Sequence, residues 1–179
     1  MKTAIFIERD GILNLPQIQN HHQITPNALT RLKINDQAQP IMKQLKAAGF
    51  LLIATTNQPG LSDGNVSRLE LERMHDLLQH AFQLDDVMVC PHGEEDGCSC
   101  RKPEPGLFTE AAHKWRIDLQ HSFVISDKWQ DARAARTIGS FSMMLQSPWI
   151  GSGHHDFVVP NLRGIAEKIL QLQVRTLAA

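Results

Sequence analysis

The stretch Thr3-Ala4-Ile5-Phe6-Ile7-Glu8-Arg9-Asp10-Gly11 decides the fold class. A short apolar run stops abruptly at two carboxylates and an Asp-Gly turn pair, as a buried strand does where it meets a loop. The same form recurs along the chain. Phe50 to Thr55 ends at Thr56-Asn57-Gln58-Pro59-Gly60, and Val87 to Val89 leads into Cys90. Ser122 to Ile125 ends at Ser126-Asp127, and Ser140 to Leu145 ends near Gln146-Ser147-Pro148. Helical spacing lies between these runs. Ala38, Ile41, Met42, Leu45 and Ala48 recur at three- and four-residue steps, with Gly49 as a stop. Leu69, Leu71, Met74, Leu77, Leu78, Ala81 and Phe82 mark a second helix. Gly106 to Trp115, Asp131 to Thr137 and Leu162 to Val174 mark three more. Strands alternating with helices predict an α/β fold: a parallel sheet with helices on both faces, in a single domain over residues 1–179. Leu15 to Leu32 is polar, carries Pro16 and Pro26, and reads as a loop over the sheet edge.

Composition narrows the function. The chain has 179 residues, 42% hydrophobic and 21% charged, with a net charge of -1. No global basic field exists to hold nucleic acid or an anionic membrane. The longest uninterrupted apolar run, Phe50 to Ala54, is far short of a membrane span. Glu8, Arg9 and Asp10 interrupt the apolar start, so no signal peptide is expected. All three cysteines fall between positions 90 and 100. An odd, clustered set points away from a disulfide framework and toward metal chemistry in a reducing, cytoplasmic compartment.

In open parallel sheets the ligand sits beyond the carboxyl ends of the strands. Glu8/Asp10, Thr56/Asn57 and Asp127/Asp131 occupy three such ends, so they should converge. Glu8 and Asp10 can divide the work of phosphoryl transfer: one attacks phosphorus and binds Mg²⁺, the other protonates the leaving oxygen. Alone, the pair is equally a solvated turn. The Thr56 hydroxyl and the backbone N–H groups around Asn57 suit a phosphate oxygen, though Gln58-Pro59-Gly60 also fits a plain turn. Asp127 can complete a Mg²⁺ site, while Asp131 fits a helix N-terminus equally well. Cys90, His92, Cys98 and Cys100 form two close pairs of soft ligands joined by a short loop. Four such ligands wrap a tetrahedral Zn²⁺ and leave no place for water, so the role is structural. Arg101 and Lys102 follow directly, tethered near any transferring phosphoryl group.

Taken in order, an acidic pair, a Thr, a Lys and a second acidic pair at successive strand ends resemble the haloacid dehalogenase (HAD) superfamily. Phe6-Ile7-Glu8-Arg9-Asp10-Gly11-Ile12-Leu13-Asn14, Thr56-Asn57-Gln58-Pro59-Gly60, Cys90-Pro91-His92, Cys98-Ser99-Cys100-Arg101-Lys102-Pro103-Glu104-Pro105-Gly106 and Asp127-Lys128 sharpen the likeness. They resemble the D-glycero-D-manno-heptose 1,7-bisphosphate phosphatase family and the related histidinol-phosphate phosphatase domain, from about residue 3 to about residue 145. The resemblance implies a HAD-like Rossmannoid fold and a Mg²⁺-dependent phosphatase of a small phosphorylated metabolite. A heptose bisphosphate is the first choice of substrate and histidinol phosphate the second. It implies a nucleophile and Mg²⁺ ligand at the position of Glu8. Asp10 becomes the general acid/base and a Mg²⁺ ligand through its carbonyl, and Asp127 the remaining Mg²⁺ ligand, with Lys128 beside it. Thr56, Arg101 and Lys102 steady the phosphoryl group. Cys90, His92, Cys98 and Cys100 bind zinc in a loop at about residues 88–104 that substitutes for a cap domain. The family also suggests a monomer.

Three positions depart from the family pattern. The nucleophile is Asp in the family and Glu8 here. A Gly is replaced by Ser126, and a small residue followed by Arg is replaced by Ser62-Asp63. Glutamate extends its carboxylate by roughly 1.5 Å, and a misplacement of about 1 Å can cost on the order of a hundredfold in rate. A protein that binds phosphate without turning it over is therefore the alternative that Glu8 and Asp63 favour.

Overall fold

A computed structural model describes residues 1–177. Its architecture follows from the alternation along β1 (Ala4–Glu8). Ala4 and Phe6 point to one face of the sheet, and Ile5 and Ile7 to the other. All four side chains are buried, so both faces need a covering layer. Helices α1 (Ala38–Ala47), α2 (Arg68–Phe82) and α5 (Leu162–Leu177) cover the Ile5/Ile7 face. Helices α3 (Gly106–Trp115) and α4 (Trp129–Ile138) cover the other, where Phe6 meets Phe108 edge to face at 5.1 Å.

Besides β1, the chain forms β2 (Gln17–Gln19), β3 (His22–Ile24), β4 (Leu51–Asn57), β5 (Asp86–Cys90), β6 (Phe123–Ser126), β7 (Phe141–Leu145) and β8 (Phe157–Val159). The main sheet runs β5-β4-β1-β6-β7-β8, with every pairing parallel. The register sets Glu8 against Thr55 and Asn57 against Cys90, so the strands deliver their ends to one rim. Ser67 caps α2 by accepting from the Glu70 N–H at 3.1 Å, and Gly139, at φ +75, closes α4.

Two elements differ from the sequence reading. The segment read as a loop between Leu15 and Leu32 contains the antiparallel hairpin β2–β3. Its turn residues Asn20 and His21 are both left-handed, at φ 49 and 63, the conformation a tight hairpin turn needs. No Gly marks that turn, and the strands are too polar to announce themselves. A sixth parallel strand, β8, also escapes the sequence reading because it is only three residues long and half-exposed.

Candidate active site

The ends of β1, β4 and β6 meet the loop after β5 at a cavity of about 540 Å³, lined among others by Glu8, Asp10, Asn57, Arg101, Lys102, Lys128 and Asp131. Glu8 closes β1. Its Oε1 accepts from the Asp10 N–H at 3.1 Å, and its Oε2 pairs with the Lys102 ammonium. Gly11 then turns the chain at φ +105, and a Cβ there would stand 2.4 Å from Asp127 Oδ2. Only glycine lets β1 leave the sheet so close to the end of β6.

Lys102 is buried and donates to Asp131 Oδ1 at 2.7 Å and to the Thr55 carbonyl at 3.1 Å, as well as to Glu8. Burial opposes the charge on Lys102, yet Asp131 and Glu8 raise its pKa above the ordinary lysine range. Burial likewise opposes the Glu8 carboxylate, but Lys102 and Lys128 hold its pKa down to about 2. Asp131 goes the other way: burial lifts it to about 6 despite the Lys102 partner. The Lys128 ammonium donates to the Asp10 carbonyl at 2.6 Å and lies 3.5 Å from Glu8 Oε1 and 4.0 Å from Asp127 Oδ1.

These groups test whether Mg²⁺ fits. Three buried carboxylates, Glu8, Asp127 and Asp131, face two ammoniums. Asp127 Oδ1 is buried without a hydrogen-bond partner among the described residues, and burial pushes the Asp127 carboxyl above its usual pKa. Glu8, Asp127 and the Asp10 carbonyl supply the hard oxygens that Mg²⁺ takes, around a point where a cation already stands. The donor set fits the ion.

Asp10 faces a second cluster that the sequence reading missed. Arg9, fully buried, donates to Asp10 Oδ1 from Nε at 3.1 Å and from Nη2 at 3.0 Å. Gln58 Nε2 donates to Asp10 Oδ2 at 3.0 Å and to Thr56 Oγ1 at 2.7 Å. Arg9 Nη1 lies 3.1 Å from His75 Nε2, and burial together with the Arg9 charge lowers the His75 pKa to about 3. Arg9 stands between the two acidic residues, but nothing in its spacing shows that a histidine on α2 will meet it. Thr56 is fully buried with its hydroxyl engaged by Gln58, and it is not among the residues lining the cavity. Asn57 does line it, and its side-chain amide pairs reciprocally with the Lys102 backbone at 3.1 Å each way. Asn57 thus fixes the segment that carries Lys102. Asp63 is exposed and lies outside the cavity lining, so its charge does not face the site.

Hairpin β2–β3 brings His22, Gln23, Ile24 and Thr25 to the cavity, where Gln23 Nε2 donates to Asp127 Oδ2 at 3.0 Å. Two tryptophans, Trp129 and Trp149, complete the mouth. His22 is exposed and lies at the rim of the cavity.

The ligand atoms of Cys90, His92, Cys98 and Cys100 all lie within 4.8 Å of one another. Cys90 Sγ is 3.7 Å from Cys98 Sγ and 3.1 Å from Cys100 Sγ, and His92 Nδ1 is 3.2 Å from Cys100 Sγ. Thiolates on one tetrahedral Zn²⁺ stand about 3.8 Å apart, so the cluster is close to the size of a zinc site. The Arg101 guanidinium donates to the His92 carbonyl at 2.9 Å and ties the two halves of the loop together.

The HAD-hydrolase-like family model matches residues 99–163. The chain is 35% identical over 147 residues to the D-glycero-beta-D-manno-heptose-1,7-bisphosphate 7-phosphatase of Pasteurella multocida, across 76% of this chain and 77% of that protein. It is 29% identical over 182 residues to the phosphatase of that name from Bordetella bronchiseptica, across 93% and 97%. The crystal structure of the D,D-heptose 1,7-bisphosphate phosphatase from B. bronchiseptica, complexed with magnesium and phosphate, superposes with a TM-score of 0.83. That match has 27% identity and covers 96% of this chain and 99% of that one.

Proposed function

The chain belongs to the D-glycero-D-manno-heptose-1,7-bisphosphate phosphatase family of HAD-like hydrolases, and from that premise we propose that it is a Mg²⁺-dependent phosphatase of a heptose 1,7-bisphosphate. One observation carries the reading: Glu8, Asp127 and Asp131 converge with Lys102 and Lys128 at the rim of a parallel sheet, around a cavity that admits a phosphate ester. Glu8 attacks phosphorus and forms an acyl-phosphate. Its depressed pKa keeps it ionised for that step. Lys102, with Arg101 at the cavity wall, offsets charge on the phosphoryl oxygens. Asp10, once its carboxyl has taken up a proton and turned from Arg9 and Gln58 toward the cavity, gives that proton to the sugar oxygen as the oxygen–phosphorus bond breaks, and then takes a proton from the water that cleaves the acyl-phosphate, releasing phosphate and freeing Glu8. Mg²⁺, held by Glu8, Asp127 and the Asp10 carbonyl, would neutralise charge and orient the phosphoryl group. Cys90, His92, Cys98 and Cys100 hold a structural Zn²⁺. In this reading the protein is a single-domain cytoplasmic monomer. No helix among the described residues is long and apolar enough to cross a membrane.

Glu8 sets the rate. Its carboxylate is roughly one C–C bond too far out for a pocket built around aspartate, and both oxygens are already engaged, by Lys102 and by the Asp10 N–H. The intrinsic basicity hardly changes between the two residues; the position does. In a phosphate-release assay on heptose 1,7-bisphosphate, Glu8→Asp should raise the rate at least about tenfold, or roughly 1.4 kcal/mol off the barrier. Adding Asp10→Asn should abolish that gain. The engaged Glu8 carboxylate also supports a second reading, a protein that binds the phosphate ester without turnover. Wild type and Glu8→Asp both inert, with anion binding intact, would favour it over the enzyme. A fast wild type slowed by Glu8→Asp would show a pocket rebuilt around glutamate.

A further inference from the structure

Arg101, Lys102 and Lys128 line the active-site cavity, and all three cations are already engaged. The Arg101 guanidinium donates to the His92 carbonyl at 2.9 Å and lies 3.6 Å from Glu94. Lys128 donates to the Asp10 carbonyl at 2.6 Å and lies 3.5 Å from Glu8 Oε1. An ammonium has three N–H donors. On Lys102 they go to Glu8, Asp131 and the Thr55 carbonyl. The Asp10 N–H is taken as well, by Glu8 Oε1 at 3.1 Å. A phosphate ester entering this cavity therefore finds both the Lys102 ammonium and the Asp10 amide occupied.

Of the three groups on Lys102, Glu8 is the one that can give way. The Thr55 carbonyl belongs to the backbone of β4, in the middle of the sheet. Asp131 is fully buried, and its Oδ2 has no hydrogen-bond partner among the described residues. Taking Lys102 from it would strand a buried carboxylate. Glu8 has a second cation at hand in Lys128. We propose that the Glu8 carboxylate is a tethered anion in the phosphoryl position, holding the two donors that a phosphate ester needs and so deciding which anions the cavity accepts. The inference rests on the reading of this cavity as a phosphate site and adds to it a selection among ligands. An aspartate would stop roughly 1.5 Å short of the same point. A ligand has to replace both Glu8 contacts at once. A dianionic phosphomonoester brings three terminal oxygens and more charge than the carboxylate it displaces, so it can do this. A free carboxylate offers only what Glu8 already supplies and lacks its tether, so it is excluded.

Calorimetry with inorganic phosphate in magnesium-free buffer tests the proposal on wild type, Glu8→Ala, Glu8→Gln and Asp127→Asn. Glu8→Ala should bind phosphate at least about tenfold more tightly than wild type. Glu8→Gln should also gain, by less, because the amide keeps the bulk. Asp127→Asn removes a carboxylate from the same rim without freeing Lys102, so its gain should be much smaller. Adding Lys102→Ala to Glu8→Ala should erase the gain. Phosphate affinity unchanged in the Glu8 variants, a gain matched by Asp127→Asn, or a gain that survives Lys102→Ala overturns the tethered anion. Glu8→Gln decides the matter if Glu8→Ala does not fold. If the Glu8 variants gain phosphate affinity while Glu8→Asp releases no phosphate from heptose 1,7-bisphosphate, the tethered anion stands and the phosphatase reading fails.

Discussion

Arg9 is the largest fully buried side chain, and Asp10 alone among the carboxylates pairs with its guanidinium in the described structure. That fixes the state of His75. Its Nε2 accepts from Arg9 Nη1, so the ring is neutral and a proton sits on Nδ1. Burial, then the neighbouring Arg9 charge, lowers its pKa to about 3. Between that value and the ordinary histidine range near 6.5, the unfolded chain takes up a proton that the folded chain refuses. Stability contributed by neutral His75 is therefore complete above about pH 6.5 and is lost as the pH falls, at up to about 1.4 kcal/mol per pH unit. His75→Gln keeps a side-chain oxygen to accept from Arg9 but cannot titrate. Urea unfolding at steps from pH 7 to 5 should show a steeper acid loss in wild type than in the variant. The difference between the two curves isolates His75 from the carboxylates, and parallel curves would refute the assignment. At this scale the sequence shows what each end of a strand offers. Glu8, Asp127 and Lys102 are legible as a charged set because each follows an apolar run or a cysteine pair. The Arg9, His75 and Gln58 cluster is not, because it joins β1, α2 and the loop after β4 through side-chain reach alone.

The loop from Pro91 to Pro105 has little apolar material of its own and crosses from β5 to α3. Its course is fixed by the mutual contacts of Cys90, His92, Cys98 and Cys100, by the Asn57 amide on the Lys102 backbone, and by Gly106. Gly106 donates to the Ser99 carbonyl at 2.9 Å, and a Cβ there would stand 2.3 Å from that oxygen. The Cys/His cluster is thus an anchor of the segment that presents Lys102. Protein purified without chelators should carry about one zinc per chain, as a closed four-ligand site requires. Stripping the metal, or Cys98→Ser, should weaken phosphate binding at least about tenfold by releasing Lys102. The far-UV circular dichroism should hold, because the sheet and helices are packed elsewhere. Metal analysis that finds no zinc, or phosphate binding unmoved by its removal, counts against the site. The clustering in this loop was readable because its three cysteines and His92 are concentrated in eleven positions, 90 to 100. The hairpin β2–β3 was not, because a polar two-strand ribbon has no buried face to impose an apolar alternation. Long elements such as α2 and β4 were legible because each buries a continuous stripe or run.

Across the whole molecule, the site exists only when distant segments are brought together. Glu8 ends β1, Asn57 ends β4, Lys102 follows β5, and Asp127 follows β6. The parallel order β5-β4-β1-β6 places these four ends side by side on one rim. An unfolded chain holds no such set, so a ligand of this site binds the folded state alone and stabilises it by mass action. At a hundred times its dissociation constant, phosphate with Mg²⁺ should add about 2.7 kcal/mol to the unfolding free energy. For a chain of this length, each kcal/mol is worth about 2–4 °C, which gives a rise in Tm of about 5–10 °C. Phosphate without Mg²⁺ should give a smaller rise, since Asp127 Oδ1 keeps no partner and the three carboxylates repel the anion. Lys102→Met keeps the volume but removes the ammonium that joins Glu8 to Asp131. It should lower the starting Tm and also remove most of the ligand-induced rise. Asp63→Ala should leave that rise intact, because the exposed Asp63 carboxylate lies outside the cavity. Differential scanning calorimetry over a phosphate series makes the comparison within each variant, so a less stable protein is still informative. An equal rise in wild type and Lys102→Met would mean that the anion binds elsewhere, and that the four strand ends do not act as one site.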